Sequence, residues 1–289
     1  MGDPHITTLD GHHYTLMRQG IFSLWHLSGL ETQFHSDNGF MKTVPVDWQV
    51  YTWYAGHQAF TKGLLLVDKS GGAVRQIMEM TSEDCQWRAR KGDGEWTIVK
   101  DDEEIWVPDG QDYVTGFQVT KKGAKGYKHI HLNVNTKSGK TEKVVLSLSC
   151  RPHHNINLQL VMRQRHDYRF VDGELKVARG SRGFSTLQTD SEFAIDAKWQ
   201  DLGGSDSAAT YLDMDQAGDA FVAKCSREEE GKAQDACSKH LGHLGDIQHG
   251  SPDETFYEDC VYDVCHGAGE TAAELAAELL ASTRAIEGI

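Results

Sequence analysis

Between residues 20 and 200 the chain is interrupted every few residues by Gly, Asp, Asn or Ser, and the stretches between are short and apolar or alternating. None of them sustains the three- and four-residue spacing of an amphipathic helix. Residues 21–27, 49–54, 63–67, 96–99, 104–107, 113–120, 129–134, 143–149 and 156–162 read as strands. Side chains alternate between the faces of a pleated strand, and β-branched and aromatic residues pack well there. So many strands at short spacing predict two packed antiparallel sheets, a β-sandwich. Trp48, Trp53, Trp87, Trp96 and Trp106 fall in or beside these runs. With no basic groove beside them, they are expected in the core or rim of the sandwich rather than on a ligand-stacking platform.

Ahead of this region Asp3-Pro4 favours an extended or turned entry, and Asp10-Gly11 is a strong tight-turn dipeptide. Residues 5–9 therefore read as a short strand closed by a turn, with residues 14–25 as its hairpin partner. A chain of 289 residues has room for about two domains. The small, polar, Gly-rich run 201–207 is the expected boundary. Beyond about residue 220 the pattern becomes helical. Residues 226–235 are highly charged, Ser251-Pro252-Asp253-Glu254 is a helix-start signal, and 270–280 is rich in strong helix formers, with Leu275, Leu279 and Leu280 as its apolar stripe. The expected division is 1–203 as a β domain, 204–220 as a linker and 221–289 as a helical module.

The six cysteines are unevenly placed, with Cys85 and Cys150 in the β region and Cys225, Cys237, Cys260 and Cys265 in the helical one. An even count with a clustered set favours disulfides and an oxidising compartment, and six cysteines allow fifteen connectivities. Zinc is the competing reading, with His240, His243, His249 and His266 nearby, although the four-residue gap between Cys260 and Cys265 is wider than a usual zinc knuckle. The net charge of −14 disfavours nucleic acid and anionic membrane, both of which are bound through Lys and Arg. No apolar run is long enough to form a membrane-spanning helix.

The opening Gly2-Asp3-Pro4-His5-Ile6-Thr7-Thr8-Leu9-Asp10-Gly11-His12-His13-Tyr14 resembles the start of von Willebrand factor type D domains, position by position. The later run Tyr257-Glu258-Asp259-Cys260-Val261-Tyr262-Asp263-Val264-Cys265 resembles the C8 module that commonly follows such domains. Together with a Phe193 to Trp199 run like the end of a type D domain, the resemblance covers nearly the whole chain. The Gly-Leu-Cys-Gly-Asn segment usual in that family is replaced by Val177-Ala178-Arg179-Gly180-Ser181-Arg182-Gly183-Phe184, and the C8-like part has fewer cysteines than usual. The resemblance is therefore to a divergent member with a reduced disulfide set.

Type D domains often bind calcium through oxygens of the opening turn and of a later acidic loop, since this hard cation needs several converging oxygen ligands. Carried onto this chain, the resemblance implies Asp10 and Asp190 as ligands, with Glu192 as a further candidate. The alternative is that Asp10 caps a turn and Asp190 is solvated. His129 and His131, two apart on a predicted strand and followed by His153-His154, are the most concrete transition-metal candidates; ordinary surface histidines explain them equally well. The sequence carries no nucleophile elbow, phosphate-binding Gly-rich loop or metalloprotease helix.

The resemblance implies a non-catalytic, extracellular or cell-surface module for adhesion, matrix or polymer assembly. Its partners would be other proteins, further copies of itself or neighbouring domains of a longer chain. Two alternatives stay open. One is a secreted enzyme on the same scaffold, as in luciferases that oxidise a small molecule. The other is an accessory domain of a lipid-carrying protein.

Overall fold

A computed structural model describes residues 5–7, 13–16, 18–34, 41–56, 60–70, 72–100, 103–108, 113–121, 128–136, 139–153, 155–161, 170–173, 186–188, 192–214, 225–249 and 251–265, with positions 269, 272–274, 276, 277, 280 and 281 beyond. The strands are β1 (His5–Thr7), β2 (His13–Leu16), β3 (Gly20–Phe34), β4 (Met41–Ala55), β5 (Phe60–Asp68), β6 (Gln76–Thr81), β7 (Arg88–Lys91), β8 (Thr97–Ile98), β9 (Glu104–Pro108), β10 (Tyr113–Lys121), β11 (Lys128–Thr136), β12 (Gly139–Arg151), β13 (Asn155–Val161), β14 (Phe170–Asp172), β15 (Thr186–Gln188) and β16 (Ala194–Ile195). Helices α1 (Asp206–Met214), α2 (Arg227–Leu241) and α3 (Pro252–Asp263) follow. The protein is mostly β, with its helices toward the C-terminal end.

Among the described residues the strands form three sheets. The largest has the order β14-β3-β4-β5-β6-β7-β8, with β16 also paired to β3; the second is β13-β12-β11-β10-β9; the third is β1-β2-β15. The pairing is antiparallel except between β2 and β15, where Tyr14 lies beside Thr186 and Leu16 beside Gln188. The expected N-terminal hairpin forms, with Ile6 opposite Tyr14, but its second strand is only β2. The rest of the expected partner, from Gly20 onward, is β3 in the largest sheet.

One face of the largest sheet packs on the second sheet. Trp25, Trp48, Val50, Leu64, Leu66, Met78, Met80 and Trp87 meet Val119 of β10, Leu148 of β12 and Ile156 of β13. Farther along the same face, Phe22 and Tyr54 pack with Ile6 and Leu16 of the β1–β2 hairpin. The opposite face is also covered: Tyr51, Trp53, Leu65, Val67 and Ile77 pack against Trp199 and Ala208, Ala209 and Leu212 of α1. Every residue of β6 and almost all of β5 is buried, as a strand covered on both sides requires.

Trp48 and Trp53, five residues apart, point to opposite faces because strand side chains alternate, so Trp53 leaves the inter-sheet core and packs on Trp199 with ring centroids 5.7 Å apart. Trp87 is in the inter-sheet core, Trp96 lies partly buried beside Trp199, and the Trp106 side chain lies outside the described residues. Within the expected linker 204–220, residues 206–214 are α1, whose small and apolar side chains seat it on β5. β6 carries no strand signal in the sequence because burial on both faces removes the alternation.

The bulge in β3 between Ser23 and Trp25 has a matching device on β14. Gly173, just after β14, has φ +103, and a Cβ there would overlap the backbone of Ser23 and Leu24. Only glycine combines that conformation with so close a backbone approach.

In the C-terminal part Ser226 opens α2 with a capping box to Glu229, and Glu228, Glu229 and Glu230 oppose the positive end of the helix dipole. Ser251 caps α3, with Pro252 in its first turn, as the helix-start signal predicts. Farther on, Ala272, Ala273, Ala276 and Leu280 are buried. Ala273 and Ala276 pack against Cys237, Tyr257 and Cys260, so small residues form the described inner face there. Of the expected leucine stripe, Leu280 is buried, and Leu275 and Leu279 lie outside the described residues.

Candidate functional site

The cysteines build two separate frames. Cys85 and Cys150 are bonded, with Cα atoms 5.6 Å apart, and join the turn after β6 to the end of β12, so the bond ties the two sheets of the sandwich. Ser82 gathers three elements at this corner. Its N–H donates to Lys62 O on β5 at 2.8 Å, its carbonyl accepts from His153 N at 2.5 Å in the β12–β13 turn, and its hydroxyl meets the Tyr211 hydroxyl of α1 at 3.1 Å.

In the helical part Cys237 of α2 is bonded to Cys260 of α3, and Cys225, just before α2, to Cys265, just after α3. These two cross-links staple the helix pair at its middle and at its open end. The Tyr257 hydroxyl adds hydrogen bonds to Gln234 O at 3.2 Å and to the Ser238 hydroxyl at 3.0 Å. All six cysteines are paired, which answers the zinc alternative with disulfides. His240, His243 and His249 are exposed, and His249 is hydrogen-bonded to Glu254 at 2.7 Å, while His266 lies outside the described residues.

A second constellation, absent from the sequence reading, sits on the α1 side of the large sheet. Glu79 of β6 is fully buried. Its Oε1 accepts from Trp199 Nε1 and from Ser205 N, both at 2.8 Å, and its Oε2 accepts from Ser205 Oγ at 2.5 Å. Ser205 Oγ also accepts from Ala208 N at 3.2 Å, so the hydroxyl that binds Glu79 is the N-cap of α1. Arg90 of β7 donates to Gly203 O at 2.9 Å and lies over the Trp96 ring. A Cβ on Gly204 would run into the Trp199 indole. The Gly203-Gly204 pair is therefore a site of close approach, not a flexible joint. With its carboxyl saturated by donors of the chain and closed to water, Glu79 acts as a clasp that holds the 199–212 layer on the sheet. Its sequence signal is faint: a single acid inside the apolar run Gln76–Thr81.

A histidine, an aspartate and a serine also meet at the middle of β4. His26 Nε2 lies 2.9 Å from Asp47 Oδ1. Ser70 Oγ accepts from the Asp47 backbone N–H at 3.1 Å, and Ser70 is buried. The serine is thus held by the backbone N–H of Asp47 and not by the imidazole, an arrangement that fixes a turn and does not activate a nucleophile. Farther along the same face of β4, burial pushes the Tyr51 phenol up to about 12, with the charge of Asp47 adding to the effect and a hydrogen bond from Gln49 opposing it.

Of the expected calcium ligands, Asp10 and Asp190 lie outside the described residues, and Glu192 is exposed in the turn before β16. The strands flanking the two aspartates, β1, β2 and β15, share one sheet. Among the described residues no group of three or more His, Cys, Asp or Glu side chains is placed to hold a metal ion. The register sets His129 beside Ser147 and His131 beside Val145; His153 is exposed, and His154 lies outside the described residues.

No family model, no curated protein and no solved structure matches this chain. The geometry of its own residues is therefore the ground for a functional reading. Among the described residues, no helix is long and apolar enough to cross a membrane.

Proposed function

We propose that this protein is a non-catalytic extracellular or cell-surface module that serves adhesion or assembly, as the resemblance to type D and C8 units implies. The observation that carries the reading is the complete pairing of its six cysteines. Structural disulfides form and persist in oxidising surroundings and are rare in cytosolic proteins. Their placement supports a mechanical role. One joins the two sheets, and two hold the helix pair, so each unit keeps its shape when its surface is loaded. The partners are other proteins, including further copies of the chain or neighbouring domains, and calcium held by Asp10, Asp190 and Glu192 would rigidify the opening turn.

The reading is tested with chain produced through a secretory route and coupled to beads. The expected result is clustering of coated beads in millimolar calcium that is lost after reduction of the disulfides. Beads that stay dispersed, together with a strictly monomeric chain in sedimentation velocity with and without calcium, would overturn it.

A further inference from the structure

The three disulfides differ in what surrounds them. Cys237 and Cys260 are fully buried in the apolar cluster between α2 and α3, together with Tyr257, Ala273 and Ala276. Cys85 and Cys150 are half-exposed, but both are held in place. Cys150 is paired with Ile156 inside the second sheet and packs on the sandwich core, and the Cys85 N–H donates to Thr81 O at 3.1 Å. Their sulfurs therefore stay apposed after the bond is broken, and it recloses. Cys225 and Cys265 are also half-exposed, yet they stand outside the helices they join: Cys225 precedes Ser226, the cap of α2, and Cys265 follows α3. Their bond spans 40 residues and encloses the 23 spanned by Cys237–Cys260, so it ties the two ends of the helix pair while the inner bond holds the middle.

A thiol exchanges only with a disulfide whose sulfur it can reach. We propose that Cys225–Cys265 is a redox-sensitive latch, opened by a dithiol reductant while the inner cross-link stays closed. One thiolate of the dithiol attacks a latch sulfur, forms a mixed disulfide and releases the other cysteine as a thiol. The second thiol of the reductant then displaces the remaining cysteine. The dithiol gives up two electrons and two protons and leaves as a cyclic disulfide, and Cys225 and Cys265 end as thiols. What remains still holds the helices: Cys237–Cys260, the bonds of the Tyr257 hydroxyl to Gln234 and Ser238, and the capping box of Ser226 and Glu229. The reduced module keeps its helices and is untied where the chain enters and leaves the pair. The latch does not depend on the assembly reading, and bead clustering neither requires nor excludes it.

The test exposes the full chain, with its three disulfides intact, to dithiothreitol in native buffer, quenches samples with iodoacetamide at intervals and maps the alkylated peptides by mass spectrometry. The expected result is alkylation of Cys225 and Cys265 about tenfold or more faster than of the other four cysteines, with the helical circular dichroism signal unchanged at that stage. A Cys225→Ser, Cys265→Ser variant should fold with the same helical signal. Its amide hydrogens should exchange faster in the first turn of α2 and the last turn of α3, and at an unchanged rate around Cys237. Alkylation of another pair first or at the same rate, helical signal lost in step with alkylation of Cys225 and Cys265, or a variant that fails to fold or shows unchanged exchange at the helix ends would each overturn the proposal.

Discussion

Trp199 donates its indole N–H to the buried Glu79 carboxyl at 2.8 Å, across 120 residues of chain. Ser205 completes the same carboxyl with its N–H and its hydroxyl, so one side chain of β6 anchors both the turn before α1 and the cap of α1. Replacing Glu79 with alanine would leave the Trp199 and Ser205 N–H groups without an acceptor and the Ser205 hydroxyl with only that of Ser207. Each such group costs about 1–3 kcal/mol, so we expect Glu79→Ala to lower stability by about 4 kcal/mol in urea denaturation. Glu83→Ala, at an exposed position of the following turn, should change it by less than about 0.5 kcal/mol.

Gly204→Ala tests the same clasp from its other side. The added methyl must displace the Trp199 ring, and with it the bond to Glu79. Overpacking of this kind costs about 1–3 kcal/mol. The loss should appear in denaturant melts, whereas Gly245→Ala, where a new Cβ meets no atom within 4 Å, should not reproduce it.

The disulfides should differ in weight. In the chain-entropy account a cross-link stabilises more as the loop it closes grows. Cys85–Cys150 spans 65 residues and Cys237–Cys260 spans 23. Removing the first by paired alanine substitution should cost about 4 kcal/mol, and removing the second about 3 kcal/mol. Peptide mapping without reduction should find these two pairings and Cys225–Cys265; a different connectivity would contradict the frame described above.

The His249 imidazole is held above its ordinary value by its hydrogen bond to Glu254 and by that carboxylate's charge. Because the folded value lies above the unfolded one of about 6.5, the contact favours folding fully below that pH, and its contribution is lost as pH rises through the raised folded value. Proton NMR titration should show His249 titrating late, and Glu254→Gln should return it toward the ordinary range. At the alkaline end, Tyr51 should be among the last tyrosines to ionise in an ultraviolet titration, near its value of about 12.

Calcium should raise the melting temperature if Asp10, Asp190 and Glu192 share a site, because a ligand selective for the folded state stabilises it by about 2.7 kcal/mol at a hundredfold excess over its dissociation constant. Asp10→Ala should abolish the shift. A melting curve unchanged at millimolar calcium would remove the ion from the proposed function.

The strands were legible where apolar and polar residues alternate along the sequence, as in residues 113–120 and 129–134, which became β10 and β11. They were illegible in β6, where both faces are buried and the run Gln76–Thr81 shows no alternation. The helix starts at Ser226 and Ser251 could be read because capping is local: a side-chain oxygen reaches an N–H three residues ahead. The Gly203-Gly204 pair is ambiguous for the opposite reason. The same residues that give a chain freedom also allow the closest packing, and the sequence does not say which use is made of them.

Taken alone, the sequence determined what depends on neighbours along the chain: the β-rich body, the pairing of β1 with a strand close after it, the helical C-terminal part and the capacity for disulfides. The tertiary structure alone decided which cysteines pair, that α1 forms a third layer, and that Glu79 holds this layer through Trp199 and Ser205. Local propensity acts over a few residues, whereas Glu79 and Ser205 lie 126 apart, and only the sheet register and the layers packed upon it bring such partners together.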